Sequence, residues 1–320
     1  MRTLFLHIGP SKTATSAIQS VLRNHDGSRV IYPRAGQWAD GSHHNLVLNF
    51  FGDYERPDVR RENIDDLLAQ IAAEAGDSSK DIVISSEMLL GRDIAAFAAA
   101  LTSRLGAQSH ETRVLAVARE HFGRTSSLYN QWVKDFAIRE IRDPDEFLQQ
   151  SAPRLAYGRV FSRLLQERLA VDVLNFHPAE TLVARFLAAL GFPPDTADRV
   201  ANTNPSMSTK ALIAILCINR LGLPPPRRRG AFSALRTMPG FLGPAEFSFG
   251  PDAVAAAEPI FAADRRFLAR RFGIRLPDTE CARRFSINES ELAQIAAALG
   301  ARPERHAVLK LARNYLARAV

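Results

Sequence analysis

The chain has 320 residues, 46% hydrophobic and 23% charged, which suits a globular protein of one large or two modest domains. Lysine and arginine number 41 against 34 aspartate and glutamate, a net charge of +7 that points to an anionic partner without naming it. Two cysteines, Cys217 and Cys281, exclude a disulfide scaffold and a cysteine-rich metal site and fit a reducing compartment.

The predicted elements begin at once. Thr3 to Ile8 is a short apolar run, read as a buried strand, followed by the turn Gly9-Pro10-Ser11 and a helix from about Thr15 to Arg23. The N-terminus lacks the apolar region and cleavage site of a signal peptide. No apolar run reaches the ~18 residues of a membrane span. The expectation is a cytoplasmic protein without a membrane span. Val30-Ile31-Tyr32 reads as a second strand, Glu62 to Ala75 as an amphipathic helix, Asp81 to Ser85 as a third strand and Asp93 to Leu105 as a helix. Arg113 to Ala118 is a fourth strand, apolar on both faces as a central parallel strand must be. A helix over Phe122 to Ile138, a strand over Val171 to Phe176 and a helix over Ala179 to Leu190 follow.

Strands alternating with helices predict a parallel α/β sheet with helices on both faces. After Gly191 the pattern is helical: Thr209 to Arg220, Pro251 to Arg271, Glu289 to Leu299 and Glu304 to Arg318. Leu221 to Phe249, rich in Pro, Gly and Arg, reads as a long surface loop. Asp278 to Arg284 reads as a link, giving an α/β domain over 1–277 and a C-terminal helical extension over 278–320.

The first strand runs into Gly9-Pro10-Ser11-Lys12-Thr13-Ala14-Thr15-Ser16 and then a helix. Strand, small-residue turn, Lys-Thr and helix is an arrangement that binds phosphate: N–H groups at the helix start face the anion, the helix dipole favours it, and lysine and hydroxyl groups complete the cage. It is not a GxxxxGK[ST] loop, because only two residues separate Gly9 from Lys12. The plainer alternative is a helix cap beside a solvated lysine. The fourth strand ends in Arg119, where open α/β sheets place ligands. Ser127 and Tyr129 follow eight and ten residues later, which suggests a second anion site. Here the alternative is a structural ion pair and a surface serine.

Together, Lys12-Thr13-Ala14-Thr15-Ser16 and Arg119, Arg124, Ser127 and Tyr129 resemble the sulfotransferase family, closest to bacterial members related to glycan sulfotransferases. The likeness continues through Ser85-Ser86-Glu87 and Phe261, Asp264, Phe267-Leu268 and Arg271-Phe272-Gly273, covering about residues 3–275. Ala14 stands where the family usually has glycine, and Glu120-His121 where it has Asp/Asn-Pro.

The resemblance implies a P-loop-like three-layer α/β/α fold with a central parallel sheet. It also implies 3′-phosphoadenosine 5′-phosphosulfate (PAPS) as donor, its product 3′-phosphoadenosine 5′-phosphate (PAP), and no metal. Gly9, Ser11, Lys12, Thr13, Ala14, Thr15 and Ser16 would grip the 5′-phosphosulfate, and Arg119 and Ser127 the 3′-phosphate. Lys12 would act on the leaving phosphate and the moving sulfonate. The general base is Glu87, at the end of the third strand, or one of the pair His43-His44. The acceptor would be a carbohydrate or other small molecule; Trp38, Phe50, Phe51 and Tyr54 offer an aromatic pocket should it be a phenol. A small-molecule kinase and a non-catalytic binder of acidic polymer are the competing classes. Basic residues are spread along the chain without interleaved aromatics, which argues against nucleic acid.

Overall fold

The computed structural model describes residues 2–25, 28–55, 59–105, 110–193, 206–243, 247–277 and 285–317. The chain divides into two compact units, one of Met1–Arg119, Ala156–Thr203 and Ala263–Pro277, the other of Glu120–Leu155, Asn204–Ala262 and Asp278–Val320.

The first unit is built on five parallel strands, β1 (Arg2–His7), β2 (Val30–Ile31), β3 (Asp81–Ser85), β4 (His110–Ala118) and β5 (Ala170–Asn175), in the order β2-β3-β1-β4-β5. Its helices are α1 (Thr15–Asn24), α2 (His44–Phe50), α3 (Ile64–Ala75), α4 (Ile94–Arg104), α7 (Gly158–Gln166) and α8 (Leu182–Ala189). Successive side chains of a strand point to opposite faces. Leu4, Leu6, Ile8, Ile82, Ile84, Val114 and Ala116 accordingly join Leu46, Ile71, Phe97 and Phe161 in one core layer. Phe5, Val83, Leu115 and Val117 join Ile18 and Leu22 of α1 and Phe186 of α8 in the other. Two covered sheet faces make this a three-layer α/β/α fold, as expected.

The chain leaves β1 toward β2 and β3 on one side and later takes up β4 and β5 on the other. The carboxyl ends of β1 and β4 therefore flank the point where the winding reverses, where such sheets bind ligands. The chain stays paired with β4 past the end of β1: the Ile8 N–H donates to the Leu115 carbonyl at 3.1 Å and the Val117 N–H to the Gly9 carbonyl at 3.0 Å.

The second unit holds α5 (His121–Lys134), α6 (Pro144–Leu155), α9 (Thr209–Arg220), α10 (Pro225–Leu235), α12 (Glu289–Leu299), α13 (Arg305–Ala312) and the first part of α11 (Pro251–Phe272). α9 is its axis: every residue from Ala211 to Ile218 is buried, so its apolar surface runs all round. α12 and α13 both pack on α9, and their Ile295, Leu299 and Val308 share one core with it. The C-terminal helices are thus part of this unit's core. The proposed link Asp278 to Arg284 lies outside the described residues.

One expectation needs correcting. Leu221 to Phe249 is not a long loop, because α10 runs through it. Pro224-Pro225-Pro226 reads as a breaker, but proline is favoured in the first helical turn, where N–H groups have no intrahelical partner. Arg228 within it is buried. It donates from Nε to Asn219 Oδ1 at 2.9 Å and from Nη2 to the Asp135 carbonyl at 3.0 Å. Of the basic run Arg227-Arg228-Arg229, the middle residue is therefore structural.

Candidate functional site

The loop between β1 and α1 is held in an unusual backbone shape. Gly9, Lys12 and Ala14 have φ of 81°, 71° and 62°, the left-handed region that L side chains seldom adopt. Such alternation turns successive N–H groups toward one side, an anion-binding concavity. Ala14 is the N-cap of α1 and supplies no side-chain cap. The N-cap residue itself therefore places no acceptor on the positive end of the α1 dipole. The loop asks residue 14 for a left-handed conformation, which glycine adopts freely and alanine at a cost of about 1–2 kcal/mol.

Close packing also defines the loop. A Cβ on Gly9 would lie 3.2 Å from Glu87 Cγ, so a side chain there would be strained by φ and would press on Glu87 by a few tenths of an ångström. Glu87 opens the short 3-10 turn Glu87–Leu89 directly after β3 and Ser86, and it accepts a hydrogen bond from the Thr15 hydroxyl. The carboxylate expected near the phosphate loop is thus beside it. Thr13 is fully buried and its hydroxyl donates to the Pro10 carbonyl at 2.5 Å, closing the turn. The expectation that the Thr13 and Thr15 hydroxyls face a phosphate is corrected: Thr13 braces the loop and Thr15 holds Glu87. Ser16 remains exposed on the first turn, and Ser11 and Lys12 are half-buried.

Arg119 follows β4, and its surroundings pin it. Its N–H donates to the Tyr157 hydroxyl at 3.0 Å, and that hydroxyl donates to the Arg119 carbonyl at 2.8 Å. Its guanidinium lies 4.7 Å from the centre of the Phe176 ring, a cation–π contact. From Nη1 it donates to the Lys12 carbonyl at 3.0 Å. Tyr157 is itself placed by Asp264, whose Oδ2 accepts the Tyr157 N–H at 2.9 Å and whose Oδ1 accepts the Gly158 N–H at 2.5 Å. Tyr157 is the residue that sequence reasoning missed. Its only local signal is an aromatic residue at the start of α7.

The histidines are structural. His43 is fully buried; Nε2–H donates to the Pro33 carbonyl at 2.8 Å and Nδ1 accepts the Ser85 N–H at 3.1 Å. Both ring nitrogens are used, and burial lowers its pKa to about 4. His43 is therefore withdrawn as a base. His44 is buried too, with Nδ1 2.8 Å from Ser86 Oγ and its ring 4.8 Å from that of Trp38. The Ser86 hydroxyl also accepts the Met88 N–H at 3.2 Å, so His44 braces the turn that carries Glu87. His7 bonds Ser85 Oγ through Nδ1 at 2.8 Å, and burial lowers its pKa to about 3.

Other expected groups lie elsewhere. Ser127, half-buried on α5, belongs to the second unit, whereas Arg119 closes a segment of the first. Arg124 is buried and donates to the Leu155 carbonyl at 2.9 Å. Tyr129 is buried in the second unit's core, where its hydroxyl donates to the Arg142 carbonyl at 2.8 Å. Phe50 and Phe51 pack on Phe97, at 5.1 and 6.3 Å between ring centres, so they serve the core. Arg92 pairs with Asp53 at 2.6 Å and leaves Glu87 to Thr15.

Loop, guanidinium and carboxylate thus meet at the carboxyl edge of three adjacent strands. An anion there would meet N–H groups, a helix start and a lysine, with a proton acceptor beside them. The chain matches no protein-family model and no curated protein.

Proposed function

We propose that this chain is a sulfotransferase, moving a sulfuryl group from PAPS to a hydroxyl or amine of a carbohydrate or other small acceptor. One observation carries the reading. The Gly9–Ala14 loop, left-handed at Gly9, Lys12 and Ala14 and leading into α1 without an N-cap side chain, is braced by Arg119 on one side and touches Glu87 on the other. That arrangement supports the reading of an anion cradle with the Glu87 carboxylate next to it.

The donor supplies an electrophilic sulfur whose bond to the bridging phosphate oxygen breaks as the acceptor oxygen or nitrogen bonds to sulfur. The protein's part is positioning and charge neutralisation. Lys12 opposes the negative charge that grows on the leaving phosphate. N–H groups of the loop and of the first turn of α1, with the Ser16 hydroxyl, hold the 5′-phosphate. Arg119 gives charge-assisted hydrogen bonds to a phosphate oxygen, and its braced geometry lowers the cost of ordering it on binding. Glu87 takes the acceptor's proton, with the Thr15 hydroxyl fixing its orientation. Only two cysteines in 320 residues suit the cytoplasm, to which we assign the protein.

Transfer of labelled sulfate from PAPS to a panel of sugars, amino sugars and phenols tests the proposal. The expected result is a labelled carbohydrate whose formation needs Lys12. Labelling of phenols alone would move the acceptor class. No transfer to any acceptor, together with phosphoryl transfer from ATP, would replace the proposal by a kinase.

A further inference from the structure

The second unit presents an apolar, basic tip. Between α5 and α6, Phe136, Ile138 and Ile141 are exposed by 44%, 47% and 54%. Isolated exposed apolar residues are ordinary, but three large ones within six residues are a patch. The tip is a built turn: Asp135 Oδ1 accepts the N–H groups of Ala137 and Ile138 at 2.7 and 2.9 Å, and Arg139 sits at φ 52°. Phe136 lies 5.2 Å from Phe232 of α10, ring centre to ring centre, and its ring is 4.4 Å from the Arg228 guanidinium. Tip and α10 therefore form one surface.

Charge on that surface is one-sided. Arg229 and Arg236 are exposed and Arg139 is half-buried, and none of the three has a carboxylate partner among the described residues. Arg229 and Arg236 are seven residues apart with Phe232 between them, the spacing of one helix face. The acids nearby are engaged. Glu140 accepts from Arg142 Nε at 2.7 Å, and Asp135 caps the turn. Burial, with Arg139 adding its charge, lowers the Arg228 pKa.

We propose that this tip docks on the anionic face of a lipid bilayer. Phe136, Ile138 and Ile141 would enter the boundary between headgroups and acyl chains, while the arginines contact lipid phosphates and carboxylates. The chemistry fits a bilayer because aliphatic and aromatic tips sit among cations, the combination an interface rewards twice. Among the described residues no helix is long and apolar enough to cross a membrane, so the association is peripheral. The proposal does not depend on the sulfotransferase reading.

Vesicle co-sedimentation of the full chain tests it, using phosphatidylcholine vesicles with and without about 30% phosphatidylserine. The wild type is expected to sediment with the anionic vesicles, to stay in solution with the neutral ones, and to be released by added salt. Ile138→Ser with Ile141→Ser should lower partitioning about tenfold or more, because each loses apolar contact. Each of Arg139→Ala, Arg229→Ala and Arg236→Ala should cost about fivefold. Four of the five side chains are exposed and Arg139 is half-buried, and circular dichroism of each variant checks the fold. Wild type that fails to sediment with anionic vesicles, or variants that sediment as well as wild type, would overturn the proposal. So would retention on poly-glutamate with no vesicle binding, which would assign the tip to an acidic polypeptide.

Discussion

Arg119 and Lys12 are 107 residues apart in sequence, and the Arg119 guanidinium donates to the Lys12 carbonyl at 3.0 Å. The contact ties the end of β4 to the loop that follows β1. It also changes what Arg119 does. Besides offering charge to a ligand, it holds the backbone of the loop that would receive the ligand. Arg119→Lys keeps the charge but loses the planar fork. It should therefore weaken binding of PAP by about tenfold, which fluorescence or calorimetric titration will show; affinity equal to wild type would rule out the fork's role.

Tyr157 links the same residue to the rest of its unit. Its hydroxyl satisfies both the N–H and the carbonyl of Arg119. Tyr157→Phe leaves those two groups without that partner and should lower stability by about 1–3 kcal/mol. Urea unfolding measures this. A fall in nucleotide affinity should accompany it, because the Arg119 backbone is no longer fixed.

Ala14 carries the left-handed backbone that glycine would adopt freely. Ala14→Gly removes a steric cost of about 1–2 kcal/mol and adds an unfolded-state entropy cost of about 0.4–1 kcal/mol. The net expectation is a gain of roughly 0.5–1 kcal/mol. Ala14→Val should be clearly destabilising, since a β-branched residue tolerates positive φ poorly. Chemical denaturation of the pair checks both signs.

The strands were legible because residues buried on both faces leave continuous apolar runs, as in Arg113 to Ala118. The turn between β1 and α1 was legible because Gly9 and Pro10 end the apolar run, but the uses of Thr13 and Thr15 were not, since both hydroxyls turn to partners within the protein. His43 was misread for a similar reason. Adjacent histidines look polar and exposed in sequence, yet tertiary contacts with Pro33 and Ser85 bury His43 completely. Tyr157 was not legible at all, since it meets Arg119 only through folding, 38 residues away. The α10 helix was hidden by its three prolines, whose placement at a helix start decides their effect.

Two fully buried histidines, His7 and His43, make stability depend on pH. Burial lowers the pKa of His43 to about 4 and of His7 to about 3, from 6.5. The unfolded chain therefore binds more protons below pH 6.5, and unfolding takes them up. The stability tied to keeping these rings neutral is fully present above 6.5 and falls as pH drops from there toward 4 for His43 and 3 for His7. The slope approaches about 1.4 kcal/mol per pH unit for each ring. Urea midpoints at about pH 7 and about pH 5 should differ accordingly, and His7→Asn should flatten the dependence. An unchanged midpoint would show that the rings are protonated in the folded protein.

Glu87 has one chemical task in the proposed reaction. Glu87→Gln keeps shape and can still accept from Thr15, but it cannot take a proton. Turnover should fall by about 10²–10⁴ while PAP affinity stays near wild type. A variant with near-normal turnover would remove Glu87 as the base.

Calorimetric titration of PAP into wild type, Lys12→Ala and Arg119→Ala tests the anion cradle most directly. Wild type should bind it, and bind it more tightly than ATP. Arg119→Ala should weaken it by about 2–3 kcal/mol, or about 30–150-fold. Lys12→Ala should bind it with a smaller loss, because Lys12 acts mainly on charge that develops during transfer. No measurable binding to wild type, or equal binding by wild type and Arg119→Ala, would contradict the assignment of this loop and this arginine to the nucleotide.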